Sequence, residues 1–427
     1  MNLKEKVYIF IKNHKKLLTS LLLFVISLTV FMLFSKHKFN PYNNYSYLAD
    51  AIINGHLDVQ NLPKHLESIE FQGHKYMHFA PGCAWISLPF VFFLGIEGFN
   101  QIYLVMVLAA INSALAYMIL EERNLGRSIK SRVLMALMLT IGTAHCFCAS
   151  VGDSWFFGHV ATLFFILLAL LFLFKVKDTT NSKNTLYLLL SGLFFGLAVN
   201  CRLTAIIGCI FIGYYIFTIY RFNIKPYIFF AVGAAIFGSI YMMYNYARFG
   251  TIMDQGYALT YLKDYHKVEY DILQNSPISE HKALLKQYTK EFGGPLQFVF
   301  VKYNLYSLFM MAPTFSWNAP YIIPTQHGVA ITFTSPMLFL ALTARKRKGY
   351  VIALWATTIA SSIPFLLNYG NGCAQFGMRY SLDFTPYLWL LMCMGIGRKR
   401  LKWWMVCGFF LCYAVNIWGA WYWKTFY

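Results

Sequence analysis

Long apolar runs separated by short basic clusters are the feature that most restricts how this chain can fold. Hydrophobic residues make up 58% of the 427 residues and charged residues only 12%, whereas a soluble domain carries about 25% charged residues. A membrane-spanning helix needs about 20 apolar residues, and the chain offers many such runs. We therefore predict an all-α polytopic membrane protein with a single membrane domain over residues 1–427.

The apolar runs predict about eleven transmembrane helices. Two further apolar pieces, near 83–97 and 297–312, would put a basic cluster on the wrong side if either were counted as a span, so we predict juxtamembrane or re-entrant helices on the outer face. The predicted spans lie near 17–35, 99–120, 133–150, 157–174, 186–201, 203–220, 227–245, 327–343, 350–368, 382–397 and 403–421.

The basic residues behind the formal net charge of +19 cluster in the loops between apolar runs and do not form a nucleic-acid-binding surface. Basic clusters between apolar runs obey the positive-inside rule and set the orientation, and no basic stripe with interleaved aromatic residues predicts a nucleic-acid partner. The first span reads as an uncleaved signal-anchor with a cytoplasmic N-terminus, in a bacterial inner (plasma) membrane. The predicted cytoplasmic clusters are 123–132, 175–183, 221–225, 345–348 and 398–402.

The cysteines and acidic residues give no sign of a metal centre. None of the nine cysteines has the spacing of a metal site, and most lie within apolar runs, which is typical of small buried apolar residues. No paired acids stand at ligand spacing on the predicted outer face. We predict that the protein requires no metal and no cofactor.

Two long polar segments, 36–98 and 246–326, are predicted to lie on the outer face. Segments of this length are longer than a connection between two helices needs, and they are usually functional or mobile. The chain has no soluble catalytic domain, no phosphate-binding Gly-rich loop and no transporter-type repeat. Any chemistry is therefore expected in these outer segments and at the helix ends beneath them.

The first outer segment contains signals for local structure. Residues 47–53 predict a short helix ended by Asn54-Gly55 as a left-handed cap, and residues 71–76 predict a hairpin-like turn. Pro81 suits the start of the next apolar helix. Lys75 and His78 flank an aromatic residue at the membrane surface, where a lipid phosphate would be held.

This order of elements resembles the GT-C glycosyltransferases, in particular the dolichyl-phosphate-mannose protein mannosyltransferase and aminoarabinose transferase group. Three further stretches resemble the same group: GLFFGLAVNCR over 192–202, NYARFG over 245–250 and GMRYSLDFTP over 377–386. The resemblance implies a GT-C-like bundle with juxtamembrane helices in the first outer loop. It also implies a transferase that moves a sugar from a polyprenyl phosphate to an extracytoplasmic glycan, lipid or protein.

One departure concerns the catalytic base. The family usually places an acidic residue at the start of the loop helix, where this chain reads Asn43-Asn44, and an amide does not accept a proton at neutral pH. The remaining candidates for the base are Asp50, Asp58 and Asp153. A site without any catalytic acid stays open as a fourth possibility.

The predicted chemistry also requires cations for the departing phosphate and side chains for the sugar. For the phosphate we predict Lys75, His78, Arg202 and Arg379, although Arg202 could instead reach to the membrane surface and Arg379 could pair with Asp383 four residues later. The predicted substrate-binding residues, each with a structural alternative, are Tyr45, Tyr76, His159, Asn245, Arg248 and Tyr380.

Three functions remain compatible with the sequence. The first is the glycosyltransferase, whose partners would be a polyprenyl-phosphate-linked sugar, membrane lipid and an extracytoplasmic acceptor. The second is a transporter or flippase for a lipid-linked sugar, which would require polar residues deep in several spans, and these spans have few. The third is a catalytically silent GT-C relative, which Asn43-Asn44 favours.

Overall fold

The structure is a computed structural model that describes residues 3–38, 41–253, 256, 296–345 and 348–426. Most of the predicted second outer segment, 257–295, lies outside the described residues. The ends of that segment, including the predicted juxtamembrane helix near 297–312, are described.

Helices account for almost all regular structure in the described part of the chain. The α-helices are α1 Leu3–Phe34, α2 Asn44–Ile53, α3 Gly82–Gly98, α4 Gln101–Glu122, α5 Ile129–Thr140, α6 His145–Val151, α7 Ser154–Lys175, α8 Asn184–Cys201, α9 Cys209–Tyr220, α10 Lys225–Phe249, α11 Val299–Phe309, α12 Ile331–Thr334, α13 Lys348–Leu367, α14 Thr385–Ile396 and α15 Trp403–Phe426. Three 3₁₀ helices span Leu203–Gly208, Pro336–Thr343 and Arg379–Asp383. Two hairpins pair β1 Ile69–Phe71 with β2 His74–Tyr76 and β3 Thr314–Phe315 with β4 Ile322–Ile323.

The long apolar helices confirm an integral membrane protein of the all-α class. Eight helices of the described chain are long and apolar enough to cross a membrane, and the pair α5–α6, bent by 61°, would be a ninth. The predicted span 327–343 instead divides into α12 and a 3₁₀ helix at Pro336, because proline lacks the N–H that would continue an α-helix. The predicted span 382–397 is shorter than expected, since α14 has 12 residues.

The described part of 36–98, the segment predicted to lie on the outer face and called the first outer loop below, has the local structure that its sequence predicts. Helix α2 ends at Ile53 with Asn54 as its C-cap, and Gly55 takes a left-handed φ of 77°. The β1–β2 hairpin turns at Gln72 and Gly73, with φ of 50° and 80°, and positive φ at both central residues matches the twist of a two-residue hairpin. Helix α3 then packs against α2.

Helix α7 connects two chemically different ends of the bundle. Its 22 residues span about 33 Å at 1.5 Å per residue. Near its C-terminus the Arg123 guanidinium lies 4.9 Å from the Phe174 ring, Lys177 pairs with Glu122 at 2.6 Å, and the Gly126 N–H donates to the Gly397 carbonyl. The predicted cytoplasmic clusters 123–132 and 175–183 and the start of 398–402 therefore meet at one end, and the N-terminus of α7 marks the other.

Small residues let α8 and α10 approach closely. A Cβ at Gly192 would overlap the Phe230 carbonyl oxygen, and a Cβ at Gly233 would overlap the Leu189 carbonyl oxygen. The Asn200 amide also donates across the interface to the Phe237 carbonyl at 3.2 Å. Glycine spacing and interhelical hydrogen bonds of this kind are what hold helices together in a membrane.

We expect Gly233→Leu to destabilise the protein, since the new side chain must push α8 and α10 apart. Overpacking of this kind costs about 1–3 kcal/mol. The matched control is Gly238→Leu on the same helix, where a Cβ meets nothing within 4 Å. Thermal unfolding in detergent checks the prediction, and equal midpoints for the two variants would contradict it.

Candidate functional site

Four chain segments meet at the N-terminal end of α7. They are the residues leading into α2, the turn between α6 and α7, the end of α8 and the 3₁₀ helix Arg379–Asp383. The Tyr42 carbonyl joins the first two, because it accepts hydrogen bonds from the Ser154 N–H at 3.0 Å, the Ser154 hydroxyl at 2.7 Å and the Gln101 amide at 3.2 Å. These bonds fix the start of the first outer loop against the turn.

Asp153 is a buried carboxyl at this junction. Gly152 before it has a φ of 65°, and the Asp153 side chain caps α7 by accepting from the Phe156 N–H at 3.2 Å. Burial raises the pKa of Asp153 to about 7, although the Arg379 charge and the backbone hydrogen bond act to lower it. A carboxyl with such a pKa exchanges its proton near neutral pH, as a general base requires.

Arg202 is held by a partner that the sequence pattern does not indicate. Its Nε and Nη2 atoms both lie 2.9 Å from the Asp383 carboxylate oxygens, and the Thr204 hydroxyl donates to the same carboxylate at 3.0 Å. His159 Nδ1 lies 3.4 Å from Asp383 Oδ1. The alternative pairing of Arg379 with Asp383 is wrong, because residues four apart in a 3₁₀ helix of three residues per turn do not share a face.

Arg379 is a buried cation with a different environment. Its residue is 9% exposed, and its Nη1 donates to the Cys373 carbonyl at 3.2 Å. Within the described part of the chain no carboxylate oxygen lies within 4 Å of its guanidinium nitrogens, although the Asp153 charge is close enough to interact with it. A buried guanidinium in this environment can donate two hydrogen bonds to a phosphate, in the forked geometry that arginine favours.

Tyr380 lies near both guanidinium groups. Its ring centroid is 5.1 Å from the Arg379 guanidinium carbon and 5.7 Å from that of Arg202. The His159 ring packs on Tyr380 at 5.8 Å. Two of the predicted substrate-binding residues, Tyr380 and His159, are thus brought beside two of the predicted phosphate-binding arginines.

The first outer loop adds His78 and Glu67 to the site. His78 is 6% exposed, and its Nε2 lies 3.5 Å from Glu67 Oε2. The same carboxylate oxygen accepts a hydrogen bond from the Trp155 indole at 3.2 Å. Glu67 was not among the predicted site residues, and its position in the polar first loop is the only signal that could have suggested it.

The other two candidate acids have different surroundings. Asp58 pairs with His74 at 3.1 Å, a hydrogen bond that lowers the Asp58 pKa, so it is a poor proton acceptor. Asp50 is half-buried in α2. Lys75, predicted for the phosphate, lies exposed on β2.

Three predicted substrate-binding residues connect α10 with the first loop. The Arg248 guanidinium donates to the Met77 carbonyl at 2.8 Å and to the Asn245 amide oxygen at 2.7 Å. Tyr76 packs on Phe249 at 5.4 Å. Arg248 and Asn245 are buried, so these contacts give the loop a firm attachment to the bundle.

Tyr45 extends from α2 toward the arginines. It is 3% exposed and packs on Phe79 and Phe157. A Cβ added at Gly158 would lie 3.5 Å from the Tyr45 hydroxyl and 3.7 Å from Arg202 Cγ. Tyr45 and Arg202 therefore face the same glycine of α7.

Among the described residues, no group of three or more His, Cys, Asp or Glu side chains is placed to hold a metal ion. That the protein requires no metal stays a prediction.

We expect the Arg202–Asp383 pair to be required for stability. Asp383→Leu should cost about 3–5 kcal/mol, because it leaves a partly buried guanidinium without its counter-ion. The double variant Arg202→Met with Asp383→Leu should recover most of that loss.

Thermal unfolding of the two single variants and the double variant measures the coupling. The matched control is Glu122→Gln, whose partner Lys177 has a 59% exposed side chain, and an exposed pair contributes about 0–1 kcal/mol. Additive losses in the Arg202–Asp383 cycle would contradict the prediction.

We expect Asp153→Asn to raise stability at alkaline pH. The folded pKa of about 7 lies above the ordinary Asp value of about 3.9, so the parent loses stability as pH rises between those values and the loss is complete above pH 7. Asparagine still caps a helix but carries no charge. Unfolding midpoints at pH 5 and pH 8.5 should show a gain for the variant that grows with pH.

The control for this measurement is Asp58→Asn. The pKa of Asp58 is lowered, so its carboxylate stabilises the fold above its ordinary pKa and its removal gives no gain at alkaline pH. A pH-independent difference for Asp153→Asn would show that its carboxyl titrates normally.

Solved structures of other membrane proteins share this fold. No protein-family model matches the sequence, and no curated protein matches it. The oligosaccharyltransferase of Archaeoglobus fulgidus, tethered to an acceptor peptide containing an NVT sequon, aligns with a TM-score of 0.53 at 14% identity over 97% of this chain and 55% of its own. ArnT from Cupriavidus metallidurans, bound to undecaprenyl phosphate, aligns with a TM-score of 0.52 at 10% identity over 90% of this chain and 60% of its own.

The chain thus spans a little over half the length of each of these proteins. Both are GT-C glycosyltransferases, and at these identities the likeness concerns the fold. The predicted fold class is confirmed: the protein has a GT-C-like membrane fold.

Proposed function

We propose that the protein is a membrane glycosyltransferase that moves a sugar from a polyprenyl-phosphate donor to an extracytoplasmic acceptor. The observation that carries the proposal is a buried carboxyl, Asp153, whose charge interacts with that of a buried guanidinium, Arg379, at the polar end of a GT-C-like bundle. A proton acceptor and a phosphate-binding cation are the two groups that this transfer needs.

The proposed reaction assigns one role to each group. The Asp153 carboxylate takes the proton from an acceptor hydroxyl or amine as the acceptor atom bonds to the sugar C1. The bond between C1 and the phosphate oxygen breaks, and the departing polyprenyl phosphate takes its electron pair. Arg379 stabilises the phosphate charge as it develops, while the Arg202–Asp383 pair holds the 3₁₀ helix that presents Arg379.

The two structural neighbours support this class of substrate. One was solved with undecaprenyl phosphate and the other with an acceptor peptide. In the proposal, Lys75 and His78 of the first loop also contact the phosphate. Asp50 and Asp58 are the alternative bases, and variants of both belong in the test.

A catalytically silent relative is the second candidate function. Asn43 stands where the family's acid is expected, is 3% exposed, and has an amide nitrogen without a hydrogen-bond partner in the described structure. A neutral amide at that place favours a protein that binds a lipid-linked sugar without transferring it. The transfer assay separates the two candidates.

We expect purified protein in nanodiscs to transfer radiolabelled sugar from at least one of a panel of undecaprenyl-phosphate sugars to a membrane extract. Asp153→Asn should lower the rate by about 100-fold or more, as loss of a general base does. Arg379→Gln should lower it by about 100- to 1,000-fold. Asp50→Asn and Asp58→Asn test the alternative bases and are expected to retain the parent rate.

The pH dependence gives a second readout. The parent rate should rise with pH through about 7, since the base form of Asp153 is the active one. Loss of transfer in Asp50→Asn or Asp58→Asn, with Asp153→Asn still active, would contradict Asp153 as the base and assign that role to the residue whose variant is inactive. Binding of the panel without transfer by the parent would favour the silent relative, and transfer gained by Asn43→Asp would establish it.

A further inference from the structure

An exposed aromatic and acidic face lies directly beside Asp153 and has no assigned role. Its members, called the Trp155 face below, are Tyr42, Trp155 and Glu67. Tyr42 is 40% exposed, the Glu67 side chain is 48% exposed, and Trp155 is half-buried. The Tyr42 and Trp155 rings lie 5.0 Å apart at an angle of 49°, so they pack against each other and form one aromatic surface.

Hydrogen bonds hold this face in a fixed shape. The Tyr42 carbonyl is held by Ser154 and Gln101, as described above. The Trp155 indole N–H donates to Glu67 Oε2 at 3.2 Å, so ring and carboxylate are fixed relative to each other. The Glu67 carbonyl accepts from the Asn44 amide at 3.2 Å, which anchors the loop backbone beneath the face.

The position of the face connects it to the proposed reaction. Trp155 follows Asp153 by two residues in the first turn of α7. Glu67 is one of the charges that act on Asp153. A group that rests on Trp155 therefore lies close to the proposed base.

The chemistry of the face is complementary to a sugar ring. Indole and phenol rings offer flat apolar surfaces with a polar edge, which match the C–H face of a pyranose or furanose. An ionised carboxylate is acceptor-only and offers about four lone-pair positions, which suits the hydroxyl donors at the rim of that ring. A few polar groups converging on an aromatic surface are typical of small-molecule sites.

We propose that the Trp155 face binds the sugar ring of a substrate, with the ring on Trp155 and Tyr42 and its hydroxyl groups on Glu67. This inference rests on the proposed function and deepens it, since it names the surface that holds the sugar. The ring could belong to the donor or to a glycan acceptor, and the experiment has an arm for each.

The donor arm measures binding in nanodiscs of undecaprenyl phosphate and of undecaprenyl phosphate carrying glucose, mannose or arabinose. For a donor sugar, the parent binds at least one sugar-bearing lipid more tightly than the bare lipid. Trp155→Leu and Glu67→Gln should each weaken binding of that sugar-bearing lipid by about tenfold, equivalent to about 1.4 kcal/mol. Neither variant should change binding of the bare lipid.

The acceptor arm measures saturation-transfer NMR of water-soluble methyl glycosides and short oligosaccharides with the same nanodiscs. For an acceptor sugar, the signal of the parent disappears in Trp155→Leu and Glu67→Gln, while donor binding stays. Both arms read binding alone, so they remain informative if no transfer is found. Failure of the transferase proposal is thereby separated from failure of this one.

The matched control variants are Glu70→Gln, an exposed acid on β1 of the same loop, and Trp317→Leu, whose side chain is 99% exposed on the β3–β4 connection. Neither control variant should change the binding measured in either arm. The proposal is overturned if Trp155→Leu and Glu67→Gln leave sugar binding unchanged in both arms. It is also overturned if they weaken binding of the bare lipid as much as binding of the sugar-bearing lipids. Binding of a tetramethylammonium probe without binding of any sugar would also overturn it, since the face would then be a cation site.

Discussion

The ion pair between Arg202 and Asp383 is the interaction on which the rest of the site depends. The two residues are 181 positions apart, and their forked contact joins the end of α8 to the 3₁₀ helix before α14. Taking two charges out of water is costly, and Thr204 and His159 reduce that cost by adding contacts to the same carboxylate. With Asp383 occupied in this way, Arg379 of the same 3₁₀ helix donates instead to the Cys373 carbonyl and lies over the Phe156 ring.

The bundle and the first outer loop contribute different qualities to the site. Asp153 is fixed by the backbone between α6 and α7, with Gly152 so close to Ile102 that a Cβ would lie 2.7 Å from its side chain. Glu67 and His78 belong to a loop that Arg248 ties to α10 through the Met77 carbonyl. The proposed base is thus part of the rigid frame, and the proposed sugar-binding acid is part of a loop attached to it.

Local signals in the sequence predicted more than the long-range ones. Apolar runs, the Asn54-Gly55 cap and the 71–76 turn predicted helices and a hairpin because each depends on neighbouring residues only. The prediction of one span over 327–343 was wrong, because hydropathy carries no information about the backbone break at Pro336. Arg202 was recognised as an isolated charge, but its partner was not, since pairing over such a distance is a result of packing. Tyr42, Trp155 and Glu67 were missed because they are brought together by hydrogen bonds across three separate segments.

The electrostatic interaction between Arg379 and Asp153 links anion binding to proton uptake in the proposed reaction. Arg379 lowers the Asp153 pKa, so an anion that neutralises the guanidinium releases the carboxyl from that influence and makes it a stronger base. Anion binding at Arg379 therefore favours a protonated Asp153, and by reciprocity a protonated Asp153 favours the anion. In the proposed reaction the proton that Asp153 takes from the acceptor and the negative charge that develops on the departing phosphate therefore stabilise each other.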